Sequence, residues 1–265
     1  MLNTISESSI KDFFNEIYRI LGETDTNLTE IWYEISNFPF LINFNNYELR
    51  EFLNNFEFIS IRKGNYINYV VINKISFIIE SINFLRFDIN NLAGIIDYGG
   101  FESLVLEILS KNNYISIKNF RFSDKSNFKS KTSQKKYEID VIGIYDKFIL
   151  FIDAKQWKRK DSYSSISKAA NLQCRRAVAL KKNPEILSKL IQNLLGNRIN
   201  WKSRLPFLII PVMVTLEDNS IKINSNQIPI VSIYELNSFL LELQNNLQYF
   251  KTVRINKVNI QKTLF

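Results

Sequence analysis

Hydrophobic and polar positions follow two rhythms along this chain. Up to about residue 97 the apolar residues recur mainly three or four apart, which predicts helices over Ser9–Leu21, Leu28–Ile35, Tyr47–Phe56 and about Lys74–Phe84. Between the last two, Phe58–Ile61 and Tyr66–Ile72 read as strands on either side of the turn Lys63-Gly64-Asn65. Three helices followed by a hairpin predict a mainly helical, winged-helix-like accessory domain over residues 1–97, with a linker around Asn90–Gly100.

After Gly99-Gly100 the rhythm changes. A helix to about Lys111, a strand over Tyr114–Phe122, a lysine-rich polar loop and two apolar strands within Tyr137–Lys160 come first. A helix over about Ser164–Lys182, a buried strand at Phe207–Leu216, a short strand at Ile228–Ile233 and a helix at Leu236–Leu243 follow. The order α-β-β-β-α-β-β-α predicts an α/β domain over residues 98–265, a mixed sheet flanked by helices. The tail from Tyr249 to Phe265 reads equally as an extra strand or as a basic arm.

The two strands around Asp146 carry the candidate chemistry. Period-two alternation puts Glu138, Asp140 and Ile142 on one face of the first, and Ile149, Phe151, Asp153 and Lys155 on one face of the second. If Asp146-Lys147 is a two-residue loop, Tyr145 faces Phe148, and the same register sets Asp140 opposite Asp153. Opposed carboxylates repel unless a cation lies between them, and oxygen-only ligands suit a hard ion such as Mg²⁺ or Mn²⁺. Lys155 beside them has the chemistry to orient a water or steady a phosphate. Charges on strands also serve simply to face solvent, and that reading stays open at this point.

Two helices place polar side chains where core is expected. Glu102 falls inside the apolar stripe of Phe101, Val105, Leu106 and Leu109, whereas Glu107 lies with Ser103 and Ser110 on the polar face. Glu102 is either a carboxylate aimed at a cation or a first-turn glutamate favoured by the helix dipole. Gln173 likewise lies in a stripe with Ile166, Ala169, Ala170, Ala177 and Leu180, so its amide needs a buried partner, a site group or a backbone group. On this helix Arg175, Arg176, Lys181 and Lys182 are expected to face outward.

Composition narrows the chemistry. The chain contains no histidine, which removes Ser-His-Asp and Cys-His catalysis and every histidine-ligated metal site. The single cysteine, Cys174, excludes an intramolecular disulfide framework and a cysteine-rich zinc module. No phosphate-cradling glycine motif occurs. No apolar run is long enough to span a bilayer and Met1–Leu21 lacks a signal-peptide pattern, so a soluble, cytoplasmic protein is expected, without membrane association. The net charge of +8 is uneven: residues 1–97 hold 7 Lys/Arg against 13 Asp/Glu, a balance of −6, leaving +14 for the rest. The basic part is the expected polyanion binder, with Lys125, Lys129, Lys131, Lys135 and Lys136 before the first site strand and Lys158 and Arg159 after the second as candidate nucleic-acid contacts. A solvated lysine loop is the alternative. The acidic part suits a dimer contact, a protein partner or packing better than DNA reading.

Glu102 on the first helix, Asp140 on one strand, Asp153-Ala154-Lys155 on the next and Gln173 on the following helix resemble the PD-(D/E)XK, or restriction-endonuclease-like, nuclease superfamily. The resemblance covers about residues 98–243, and the passage EIDVIGIYDKFILFIDAK looks most like archaeal Holliday-junction resolvases and Mrr-like restriction enzymes. It departs from the usual pattern in having no proline before Asp140 and an Asp rather than a Glu at 153. The resemblance implies that Asp140, Asp153 and the Ala154 carbonyl hold Mg²⁺, replaceable by Mn²⁺, that Glu102 supports the metal directly or through water, and that Lys155 activates the nucleophile. It implies a metal-dependent DNA endonuclease of restriction, repair or recombination type. A catalytically inactive protein of the same fold that binds nucleic acid or acts in assembly is the alternative.

Overall fold

The computed structural model describes residues 6–85, 89–123, 136–156, 163–196, 204–218 and 221–258. Lys125, Lys129, Lys131, Lys135, Lys158 and Arg159 lie outside the described residues, as does Trp157. Two compact units are present, Met1–Leu104 and Val105–Phe265.

The first unit runs α1 (Glu7–Gly22), β1 (Glu30–Glu34), α2 (Pro39–Ile42), α3 (Asn46–Leu53), β2 (Ile59–Lys63), β3 (Asn68–Asn73), α4 (Lys74–Leu85) and α5 (Ile89–Ala93). Its three strands form an antiparallel sheet in the order β1-β3-β2. Helices α1 and α3 have a local reason to begin where they do. Ser6 accepts from the Ser9 N–H at the start of α1, and Asn45 with Glu48 forms a full capping box on α3. The core is largely phenylalanine: the Phe13 ring meets Phe52, Phe56 and Phe38 at centroid distances of 4.8, 5.3 and 5.8 Å.

Two expectations fail here. The segment expected as a helix over Leu28–Ile35 is strand β1, paired along its length with β3. Its few apolar residues fit either period, and only the partner strand decides. The expected linker at Asn90–Gly100 instead contains the end of α5 and the start of α6 (Tyr98–Lys111), whose first turn is held by Asp97 Oδ1 accepting from the Gly100 N–H at 2.7 Å. The division between the units falls within α6.

The second unit follows with β4 (Ile115–Ser123), β5 (Lys136–Tyr145), β6 (Phe148–Lys155), α7 (Tyr163–Lys181), α8 (Pro184–Leu195), β7 (Phe207–Thr215), β8 (Ile230–Ser232), α9 (Leu236–Asn246) and β9 (Val253–Ile255). The sheet order is β4-β5-β6-β7-β8, antiparallel through β6 and parallel from β6 to β8, with β9 antiparallel on β7. This is a mixed α/β sheet flanked by helices. The expected element order is present, with α8 as an addition. Part of the tail, β9, takes the extra-strand reading.

Central position explains why β6 is buried almost throughout rather than alternating. On one face of the sheet, Ile142, Ile144, Ile149 and Phe151 share a core cluster with Ala177 and Leu180 of α7. On the other, a Cβ at Gly143 would lie 3.0 Å from Leu109 Cδ1, so the missing side chain lets α6 approach closely. Pro211 sits in β7 without breaking a ladder. The N–H groups of Leu208 and Leu216 point toward β6 and that of Met213 toward β8, so position 211 would donate on the β8 side, between the stretches covered by β9 and β8.

Candidate active site

The β5–β6 hairpin sets the site. Asp146, at φ 50°, and Lys147 make the two-residue connection, and the ladder runs from Tyr145↔Phe148 to Val141↔Ile152. One further step in the same register places Asp140 opposite Asp153. On the other side of β5, Asn119 takes φ 58° at the place in β4 that would face Asp140, and the β4–β5 ladder skips it.

Both carboxylates are buried, Asp140 at 6 % exposure and Asp153 at 2 %. Asp140 Oδ2 accepts from the Ala154 N–H at 2.9 Å, which ties it to the neighbouring strand. Lys155 Nζ lies between the pair, 3.6 Å from Asp140 Oδ2 and 3.4 Å from Asp153 Oδ1. Its side chain keeps more contact with solvent than either acid.

The face of α7 that meets β6 supplies the second half. Arg176 Nη1 donates to Asp153 Oδ1 at 2.8 Å and to Gln173 Oε1 at 2.7 Å. The expectation that Arg176 faces outward is therefore wrong. Its Cα lies on the flank of the helix, but the long side chain folds back over the sheet end and is 13 % exposed. Gln173 is fully buried, as its place in the apolar stripe predicted, and its partner is this arginine. Among the described residues, Gln173 Nε2 and Arg176 Nε are buried donors without an acceptor.

Electrostatically the cluster sets two carboxylates against two cations, Lys155 and Arg176. Burial pushes the Asp140 carboxyl above its usual range, with the Asp153 charge adding to the effect, while Lys155, the Ala154 N–H and Arg176 pull in the opposite direction. Two carboxylates with backbone oxygen nearby are the donor chemistry of a hard ion, which would replace cationic contacts already present. For Asp153 Oδ1 to take part, the Arg176 contact must give way. Among the described residues no three His, Cys, Asp or Glu side chains form a metal-binding group, so the acids of this site are a pair.

Of the sequence-predicted residues, Asp140, Asp153, Ala154, Lys155 and Gln173 thus gather at one sheet end. Glu102 is buried on α6, at 6 % exposure, in the unit that ends at Leu104. Lys136 is exposed at the start of β5. Arg176 is the residue that sequence reasoning missed. The available signal was its position three residues after Gln173, one turn along the same helix.

A family model described as nuclease-related domain, NERD, matches residues 100–215, the stretch that contains every residue of this cluster. No curated protein matches the chain. Among solved structures, protein VC1899 from Vibrio cholerae is similar at 12% identity and a TM-score of 0.31, over 91% of this chain and 51% of that one. The chain thus spans about half the length of that protein. No helix among the described residues is long and apolar enough to cross a membrane.

Proposed function

We propose that the second unit is a metal-dependent nuclease that hydrolyses DNA phosphodiester bonds, as an endonuclease of the PD-(D/E)XK type. The observation that carries the reading is the pair of buried carboxylates under one lysine, inside the segment that matches a nuclease-related domain.

In this reading Asp140, Asp153 and the Ala154 carbonyl would hold Mg²⁺, or Mn²⁺ in its place. When bound, such an ion stabilises the charge that develops on the phosphoryl oxygens during in-line attack. The chain's own groups do the rest. Lys155 Nζ, the most solvent-accessible member of the cluster, holds the attacking water and takes part in moving its proton. Gln173 keeps Arg176 in place through Oε1. Arg176 steadies Asp153 by donating to its Oδ1.

For the first unit, the α-β-α-α-β-β order with a β1-β3-β2 sheet supports a winged-helix-like accessory domain. Its acidic balance fits a homodimer contact or a protein partner rather than DNA reading. The absence of a long apolar helix among the described residues supports a cytoplasmic location.

The test is a cleavage panel of linear, branched, single-stranded and modified DNA, with RNA counterparts, run with Mg²⁺, with Mn²⁺ and with chelator, wild type against Lys155→Ala. Cleavage of a DNA form that needs the metal and is lost in Lys155→Ala is expected. Metal-independent binding without cleavage would favour the non-catalytic alternative, and metal-independent cleavage would overturn the reading.

A further inference from the structure

A cleft of about 650 Å³ lies in the second unit beside α7, away from the carboxylates. Arg175, Lys182 and Lys251 line it, together with Tyr137 at the start of β5 and the amides of Asn226 and Gln227. No Asp or Glu is among the lining residues. Arg175, Lys182 and Lys251 are exposed, and none makes an ion pair among the described residues. Three cations without counter-charges, converging on one cleft, form a positive concavity of the kind that concentrates an anion.

The wall is built rather than loose. Asn171 Oδ1, on α7, accepts from Asn226 Nδ2 at 2.7 Å and from Asn224 Nδ2 at 3.0 Å. Asn224 Oδ1 in turn accepts from the N–H groups of Asn226 and Ile228 at 3.0 and 2.9 Å. The Lys251 N–H donates to the Gln227 carbonyl at 2.8 Å, which fixes the start of that lysine's side chain beside the loop. The wall of the cleft and the backbone of Lys251 are therefore held in position before any ligand arrives.

One helix joins this cleft to the candidate active site. At about 100° per residue, Arg175 and Lys182 lie roughly opposite Gln173 on α7, whose width with side chains is about 10–12 Å. Gln173 and Arg176 serve the carboxylates, and Arg175 and Lys182 serve the cleft.

We propose that the cleft is a strand-binding subsite: it holds the sugar-phosphate backbone of the nucleic acid beyond the phosphate that is cut, with Arg175, Lys182 and Lys251 on phosphates and Tyr137 against a base. The inference rests on the nuclease reading above for the identity of the strand, and not for the presence of the anion site. The excess of +14 outside residues 1–97 is thereby focused at a defined place.

The test compares two triple variants of the full chain that remove equal charge: Arg175→Gln/Lys182→Gln/Lys251→Gln in the cleft, and Lys181→Gln/Lys189→Gln/Lys257→Gln at exposed positions outside it. Fluorescence anisotropy in chelator, so that nothing is cut, measures binding of labelled single-stranded and duplex DNA and of a labelled nucleoside monophosphate across a salt series. The cleft triple is expected to lose affinity for a strand roughly tenfold to a hundredfold near 0.1 M salt and to flatten the log–log salt slope by about 2, from about 0.7 per phosphate released. The outside triple is expected to change affinity by a small factor. Equal losses in the two triples would overturn the proposal, because net charge alone would then explain them. A nucleoside monophosphate held as tightly as a strand would also overturn it, in favour of a free-nucleotide site. If no DNA is cut under any condition but the cleft triple still loses strand binding, the cleavage reading fails and the subsite stands.

Discussion

Replacing Arg176 with glutamine separates its two roles, as the counter-charge of Asp153 and as an obstacle to a metal at the same oxygen. The 2.8 Å contact joins two side chains that are 13 % and 3 % exposed, so the pair is buried. Removing one partner of a buried pair costs about 3–5 kcal/mol, and Lys155 at 3.4 Å remains to offset part of this, which leaves about 2–3 kcal/mol. For a unit of this size, that lowers the melting temperature by about 4–12 °C without metal. An ion present at about a hundred times its Kd returns close to 3 kcal/mol, enough to offset the loss. The wild type must first break the arginine contact and gains less. Calorimetry of the full chain, wild type and Arg176→Gln, with Mn²⁺ and with chelator, measures both effects. The reasoning fails if the variant melts within about 1 °C of wild type in chelator, or if Mn²⁺ raises both proteins equally.

Gln173→Leu removes one buried orphan donor and one charge-assisted hydrogen bond, so its effects on stability largely cancel, within about 1–2 kcal/mol. Cleavage is expected to fall at least tenfold in kcat with the melting temperature nearly unchanged, and a fall in both together would make Gln173 merely structural. Lys74 tests the first unit. It is fully buried, Nζ donates to the carbonyls of Asp25 and Ile95 at 2.8 and 3.0 Å, and burial pushes its pKa down against the pull of Asp25 and Asp97. The unfolded chain therefore binds more protons than the folded one between the lowered value and the ordinary 10.5, so this lysine's contribution to stability rises with pH in that window. Urea unfolding from about pH 7.5 to about pH 9.5 should show wild type gaining on Lys74→Met; parallel curves would sink the argument. Stopping there avoids Tyr114, whose pKa burial pushes up to about 12 and whose titration lowers stability above the ordinary tyrosine range.

Much of the site was legible because β-hairpin register is a local property. A two-residue loop at Asp146-Lys147 fixes Tyr145 opposite Phe148, and everything back to Val141↔Ile152 follows by counting. Gln173 was legible for a similar reason, since helical spacing puts it in the stripe that meets the sheet. Arg176 was not, because periodicity locates a Cα and says nothing of where a long flexible side chain ends. The segment Leu28–Ile35 was misread because a five-residue strand takes its identity from β3, far along the chain. Helix α8 was overlooked although its signals are ordinary: Pro184 in the first turn, buried Leu187, Leu190, Ile191, Leu194 and Leu195 at helical spacing, and Gly196 at φ 72° after its end.

The two carboxylates carry the proposed chemistry. The measurement that tests them is the cleavage rate on the best DNA form with Mg²⁺, for wild type and Asp153→Asn side by side, with metal-free binding of the same DNA recorded for each. The account predicts a loss of at least about a thousandfold in rate, about 4 kcal/mol of transition-state stabilisation, with DNA binding retained. Cleavage by Asp153→Asn at the wild-type rate would contradict it.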